Sequence, residues 1–100
     1  MKSIDEECLT QELSILGLPY QRQVLLPVNY KGLALGYRYR SDMVVSGLVV
    51  LELKAVNHLE PIHDAQLLTY LKLSTLKLGL LINFNVPLIK NGIRHLVFGL

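Results

Sequence analysis

The stretch that decides the fold is Val49-Val50-Leu51-Glu52-Leu53-Lys54-Ala55-Val56. It has the β-branched, apolar character of a buried strand, interrupted only by a carboxylate and an ammonium. Side chains alternate along a strand, so Val49, Leu51, Leu53 and Ala55 share one face. Val50, Glu52, Lys54 and Val56 share the other, and the two charges project together. Burying either charge alone would cost several kcal/mol, so both need partners or a function.

The surroundings of this strand set the topology. Upstream, "YQRQVLLPVNYKG" and "LALGYRYRSDMVV" read as two further strands, joined at Lys31-Gly32. Ser46-Gly47 makes the turn into the third strand. Before them, Ser3-Ile4-Asp5-Glu6 has the form of a capping box, and Gly17 and Pro19 close the segment, which predicts a helix over about 4–16. Downstream, Pro61 opens a helix expected to reach about Lys77. "LGLLINFN" is a fourth strand, apolar enough to be covered on both faces, and "GIRHLVF" an edge strand. Strand, crossover helix and strand form a βαβ unit, so the third and fourth strands should be parallel. The expected fold is α/β: a mixed sheet made of a three-strand meander plus a parallel strand, flanked by helices.

The 100 residues fit a single domain, 1–100. Half the composition is hydrophobic (51%), but no run approaches the roughly 18 apolar residues of a membrane span. The acidic, polar start "MKSIDEECLT" is no signal peptide, and Cys8 is the single cysteine. A disulfide within the chain and a cysteine metal cluster are excluded, and a cytoplasmic location is expected. The net charge of +2 permits nucleic-acid contact without demanding it.

Whether Asp42 can join Glu52 and Lys54 depends on the hairpin. A two-residue loop would turn Asp42 to the wrong face. A three-residue loop with Gly47 in the left-handed region shifts the parity and brings Asp42 to the face of Glu52. Two carboxylates beside a lysine suit Mg²⁺, which takes one or two carboxylates and completes its shell with water. On the crossover helix, His63, Gln66 and Tyr70 fall on one stripe. Taken singly, Tyr70 reads as a core-edge residue, His63 as a surface or capping residue, and Glu6 as part of the cap.

"SDMVVSGLVVLELKAV", with Asp42 ten residues before Glu52-Leu53-Lys54, resembles the Asp…(Asp/Glu)-x-Lys signature of the PD-(D/E)XK nuclease superfamily. Gln66 and Tyr70 resemble the Q-x-x-x-Y helix motif of its RecB-like branch. "ELKAV", "IHDAQLLTYLKL" and "LGLLINFNVP", in this order, resemble the small bacterial GxxExxY proteins. The resemblance implies a restriction-endonuclease-like core and a Mg²⁺- or Mn²⁺-dependent nuclease acting on nucleic acid, chiefly DNA. It makes Asp42 and Glu52 metal ligands, with the Leu53 carbonyl and the Glu6 carboxylate as further candidates, and Lys54 the catalytic lysine. Gln66, Tyr70 and, more weakly, His63 would contact substrate or order the catalytic groups. Substrate grip would fall to Arg22, Arg38, Arg40 and Lys72. The family's naming motif is nearly absent, since Lys2 and Asp5 stand where its glutamate and tyrosine fall. An upstream helix is therefore expected to be missing, leaving apolar surface that would favour a homodimer. The alternative is a non-catalytic nucleic-acid- or protein-binding module on a degenerate nuclease scaffold. A purely structural Glu52–Lys54 pair is a third reading.

Overall fold

The computed structural model describes residues 3–31 and 33–99, and the side chains of all of these except 3, 28–30 and 33–38. The elements run α1 (Ser3–Ile15), β1 (Tyr20–Tyr30), β2 (Leu33–Val45), β3 (Val49–Lys54), α2 (Pro61–Leu73), β4 (Leu78–Asn83), a short 3₁₀ turn at Ile89–Gly92 and β5 (Ile93–Val97). The sheet order is β1-β2-β3-β4-β5. Only β3 and β4 are parallel, paired from Val49↔Leu78 to Lys54↔Asn83. This is the mixed α/β sheet that the crossover unit predicts.

Each face of β3 has its own core. Val50 packs with Val44, Leu67, Leu71 and Leu81 on the α2 side. Leu51 and Leu53 pack with Leu13, Met43 and Ile82 on the α1 side. The alternation along "VVLELK" thus divides the two layers, and β4 is covered on both faces because Leu81 and Ile82 serve opposite cores.

The hairpin between β2 and β3 has the odd loop that Asp42 requires. Val45 pairs with Val49, so Ser46, Gly47 and Leu48 form the connection. Its shape differs from a type I turn followed by a left-handed glycine. Ser46 (φ 55°) and Gly47 (φ 64°) are both left-handed, as in a type I′ turn. Leu48 donates its N–H to the Val45 carbonyl at 3.0 Å and is the extra residue.

Helix α2 ends at Leu73, four residues before the expected Lys77. The stop is local. Ser74 donates its N–H to the Tyr70 carbonyl, and its hydroxyl engages both the N–H and the carbonyl of Leu76. Lys77 then folds back, and its Nζ donates to the Leu71 and Ser74 carbonyls at 3.2 and 2.8 Å. A cation at a helix C-terminus satisfies carbonyls that would otherwise lack partners.

The seat of α2 on the sheet depends on Gly79 in β4. A Cβ there would lie 3.0 Å from Leu67 Cδ2 and 3.2 Å from Leu71 Cδ1. Both leucines are fully buried, so they have little room to yield. Gly79→Ala is expected to lower stability by about 1–3 kcal/mol through overpacking. A thermal melt checks this, since about 1 kcal/mol moves the midpoint of a domain this size by roughly 4–8 °C. An unchanged midpoint would show that α2 sits less tightly than the contacts imply.

Candidate active site

Helix α2 runs back along β3, so its N-terminal half lies over the C-terminal end of that strand. Over Val50 the helix presents Leu71 and Leu67. Over Glu52 and Lys54 it presents Tyr70, Gln66 and His63. The same face of β3 is therefore dry at one end and polar at the other. Tyr39, Glu52, Lys54, His63, Gln66, Leu67, Tyr70 and Leu81 enclose a cleft of about 150 Å³ there. The predicted stripe of His63, Gln66 and Tyr70 meets the predicted pair Glu52 and Lys54 across it. Both charged residues are half-buried, and Glu52 Oε1 is shielded from solvent.

Asp42 does not line the cleft; it binds the backbone of β3 beside it. The β2–β3 ladder runs from Val45↔Val49 to Met43↔Leu51. At the next position toward the site Asp42 would face Glu52, and here the side chain takes over from the main chain. Leu53 donates its N–H to Asp42 Oδ2 at 2.8 Å. The Asp42 carboxylate thus lies at the fork where β2 leaves β3, flush against the backbone between Glu52 and Lys54. An ionised acceptor makes such a bond stronger than a neutral pair would.

The Glu6 carboxylate, expected at the cap or at a metal, is engaged by Arg22 of β1. Arg22 Nε donates to Glu6 Oε2 at 2.5 Å, Nη2 forms an ion pair with the same oxygen, and Nη1 reaches Glu7 Oε1 at 2.7 Å. The Glu7 and Glu6 hydrogen bonds hold the Arg22 pKa above its ordinary value. Glu6 is buried on the sheet-facing stripe of α1 and does not line the cleft. Arg22 is therefore occupied in tying β1 to α1 rather than offered as a grip on substrate. Arg40 and Lys72 are exposed, and the Arg38 side chain lies outside the described residues.

His63 has two positions at once. Its Nδ1 accepts the N–H of Glu60 at 2.9 Å, closing the first turn of α2, while its ring borders the cleft. Because Nδ1 accepts, the neutral ring carries its proton on Nε2. The capping and site roles assigned to His63 are compatible.

Three supports of the site carry little sequence signal. Arg94 of β5 forms an ion pair with Asp64 and donates to the Leu59 carbonyl at 3.2 Å, steadying the start of α2. Asn83, at the end of β4, binds the chain leaving β3. Its Oδ1 accepts the Val56 N–H at 3.0 Å and its Nδ2 donates to the Val56 carbonyl at 2.9 Å. Tyr39 of β2 stacks on Tyr70, with ring centroids 3.3 Å apart and planes 14° apart. Alternation from Val44 would turn Tyr39 away from α2. Gln23 of β1, in the left-handed region at φ 52°, is skipped between the pairs Arg22↔Met43 and Val24↔Ser41. Arg22 faces α1, whereas Leu26 and its partner Tyr39 pack on the α2 side, so the β1–β2 ribbon rolls over at this point.

Among the described residues, no three His, Cys, Asp or Glu side chains are grouped as a ready-made metal site. The donors at the fork are two carboxylates. That set is too sparse for a closed Zn²⁺ centre and fits Mg²⁺ or Mn²⁺, which accept few protein ligands and several waters.

These features define a class: an α/β scaffold with a glutamate and a lysine facing a crossover helix across a cleft, and an aspartate bound to the strand backbone between them. The model of the PD-(D/E)XK nuclease superfamily matches residues 1–96, so the chain belongs to that superfamily. No curated protein and no solved structure matches the chain. No helix is long and apolar enough to cross a membrane among the described residues.

Proposed function

We propose that this chain is a metal-dependent nuclease that hydrolyses phosphodiester bonds in DNA. The observation that carries the proposal is the cleft that Glu52 and Lys54 line together, with Asp42 bound to the N–H of Leu53, the residue between them. The N–H and carbonyl of one strand residue leave the backbone on the same edge. The Leu53 carbonyl therefore emerges beside Asp42 and can complete a set of three oxygen donors with Asp42 and Glu52. A divalent cation held there would lower the pKa of a water and offset phosphate charge. Lys54 binds the phosphate as it gains negative charge. The α2 stripe of Gln66, Tyr70 and His63 forms the opposite wall and orients the backbone of the strand. With so modest a positive charge, affinity depends on the cleft more than on a basic surface, and binding should fall only weakly with salt.

The test is cleavage of linear, circular and single-stranded DNA by purified protein. Cleavage should require added Mg²⁺ or Mn²⁺, stop with EDTA, and fall by about 100-fold or more in Glu52→Gln, which keeps the shape but weakens the ligand. Cleavage that is indifferent to EDTA, or unchanged in Glu52→Gln, would refute the metal at this fork. DNA binding without cleavage would favour a non-catalytic module on the same scaffold.

A further inference from the structure

We infer that Tyr39 is a substrate-contacting residue, its hydroxyl donating a hydrogen bond to a non-bridging phosphate oxygen of the nucleic acid in the cleft. The inference rests on the nuclease reading above and extends it to a residue contributed by the sheet.

Three observations converge on it. The Tyr39 hydroxyl is buried and has no hydrogen-bond partner among the described residues. Buried polar groups nearly always have one, so an orphaned hydroxyl calls for an acceptor from outside the fold. The residue also borders the cleft together with Glu52 and Lys54. The acceptor expected beside a lysine and a bound cation is an anion, and a phosphodiester offers two non-bridging oxygens. Finally, the ring is fixed. Its near-parallel stack on Tyr70 fixes the direction of the hydroxyl, and substrate reaches it where the side chains that cover it give way.

The stack also decides between two uses of an aromatic ring. A tyrosine at a nucleic-acid site can offer its face to a base. Here one face of Tyr39 is covered by Tyr70, and the residue packs against the core cluster of Leu26 and Val44, so a base could enter between the rings only by breaking the stack. The polar edge of Tyr39 is left for binding. Its position also explains why the β1–β2 ribbon rolls over beside Gln23: without that turn, Tyr39 would face away from α2.

Tyr39→Phe is the informative substitution, because it keeps the ring and its stack and removes only the oxygen. The expected result is a loss of about 10- to 100-fold in kcat/KM on DNA, the worth of a hydrogen bond to a charged oxygen. The thermal midpoint of the free protein should be unchanged or raised, since the variant no longer buries an unpaired hydroxyl. A hydroxyl with a structural partner would behave in the opposite way, and a midpoint lowered by several degrees would overturn the assignment. Wild-type and Lys54→Ala proteins run in parallel separate the two readings. Cleavage by wild type, loss in Lys54→Ala and full activity in Tyr39→Phe would remove the role of Tyr39 and leave the nuclease standing. No metal-dependent cleavage by wild type, or full cleavage by Lys54→Ala, would remove both.

Discussion

On the proposed nuclease reading, Lys54→Ala is expected to lower DNA cleavage by about 100- to 1,000-fold and to leave the fold intact. The size follows from the position of the ammonium. It projects from the C-terminal end of β3 into the cleft, two residues beyond Glu52 and on the same face. Removing one fixed donor aimed at developing negative charge typically costs that much in kcat. Stability should change little, because Lys54 is only half-buried and the apolar cores are built from Val50, Leu51 and Leu53. The measurement is single-turnover cleavage at saturating Mg²⁺, beside circular dichroism and a thermal melt. Lys54→Arg keeps the charge but replaces a compact ammonium with a broad planar fork. In a cleft of about 150 Å³ it should rescue little of the rate. Equal rates for wild type and Lys54→Ala, with all three proteins folded, would exclude Lys54 from the chemistry.

How much of this was legible in the sequence depends on the range of the interactions. The β3 alternation showed that Glu52 and Lys54 share a face, and hairpin parity showed that Asp42 needs an odd loop. Both are short-range geometry. The loop is odd, although Ser46 adopts a left-handed conformation that its residue type scarcely announces. The crossover unit gave the parallel pairing of β3 and β4, because handedness and loop length leave few alternatives. The end of α2 was misplaced because leucines continue to Leu78 with no glycine or proline among them. Only the folded geometry shows the Ser74 N–H and the Lys77 ammonium taking up the last carbonyls. The pairing of Glu6 with Arg22 could not be read locally, because the two lie 16 positions apart; the Ser3 side chain of the expected capping box lies outside the described residues. Tyr39 gave no signal at all, since simple alternation turns it out of the site and the roll of the ribbon at Gln23 cannot be read from residue types. Asn83 is one polar letter in an apolar strand, and its partner Val56 lies 27 positions away.

That letter carries the largest stability prediction. Asn83→Leu should destabilise the protein by about 2–4 kcal/mol, a large share of the total for a domain of this size. The side chain is buried, and its amide meets Val56 in both directions as a backbone partner in a sheet would. The same Oδ1 accepts the Asn85 N–H at 3.2 Å. Leucine matches the volume but satisfies none of these groups, so buried N–H and C=O groups are left without partners. Asn83→Asp restores the acceptor while losing the donor to Val56, and places a charge in a nearly dry position. It should recover little. The defect is expected to be transmitted along β3. Val56 is two residues beyond Lys54, and the Phe84 N–H is bonded to the Lys54 carbonyl at 2.8 Å. Loosening this end of the strand misaims the ammonium, so cleavage by Asn83→Leu should fall even at temperatures where the variant is fully folded. Denaturant titration gives the stability term, and single-turnover cleavage well below the midpoint gives the other. A variant with wild-type stability would show that water replaces the amide, and a destabilised variant with wild-type rate would show that Lys54 is aimed without the help of Asn83.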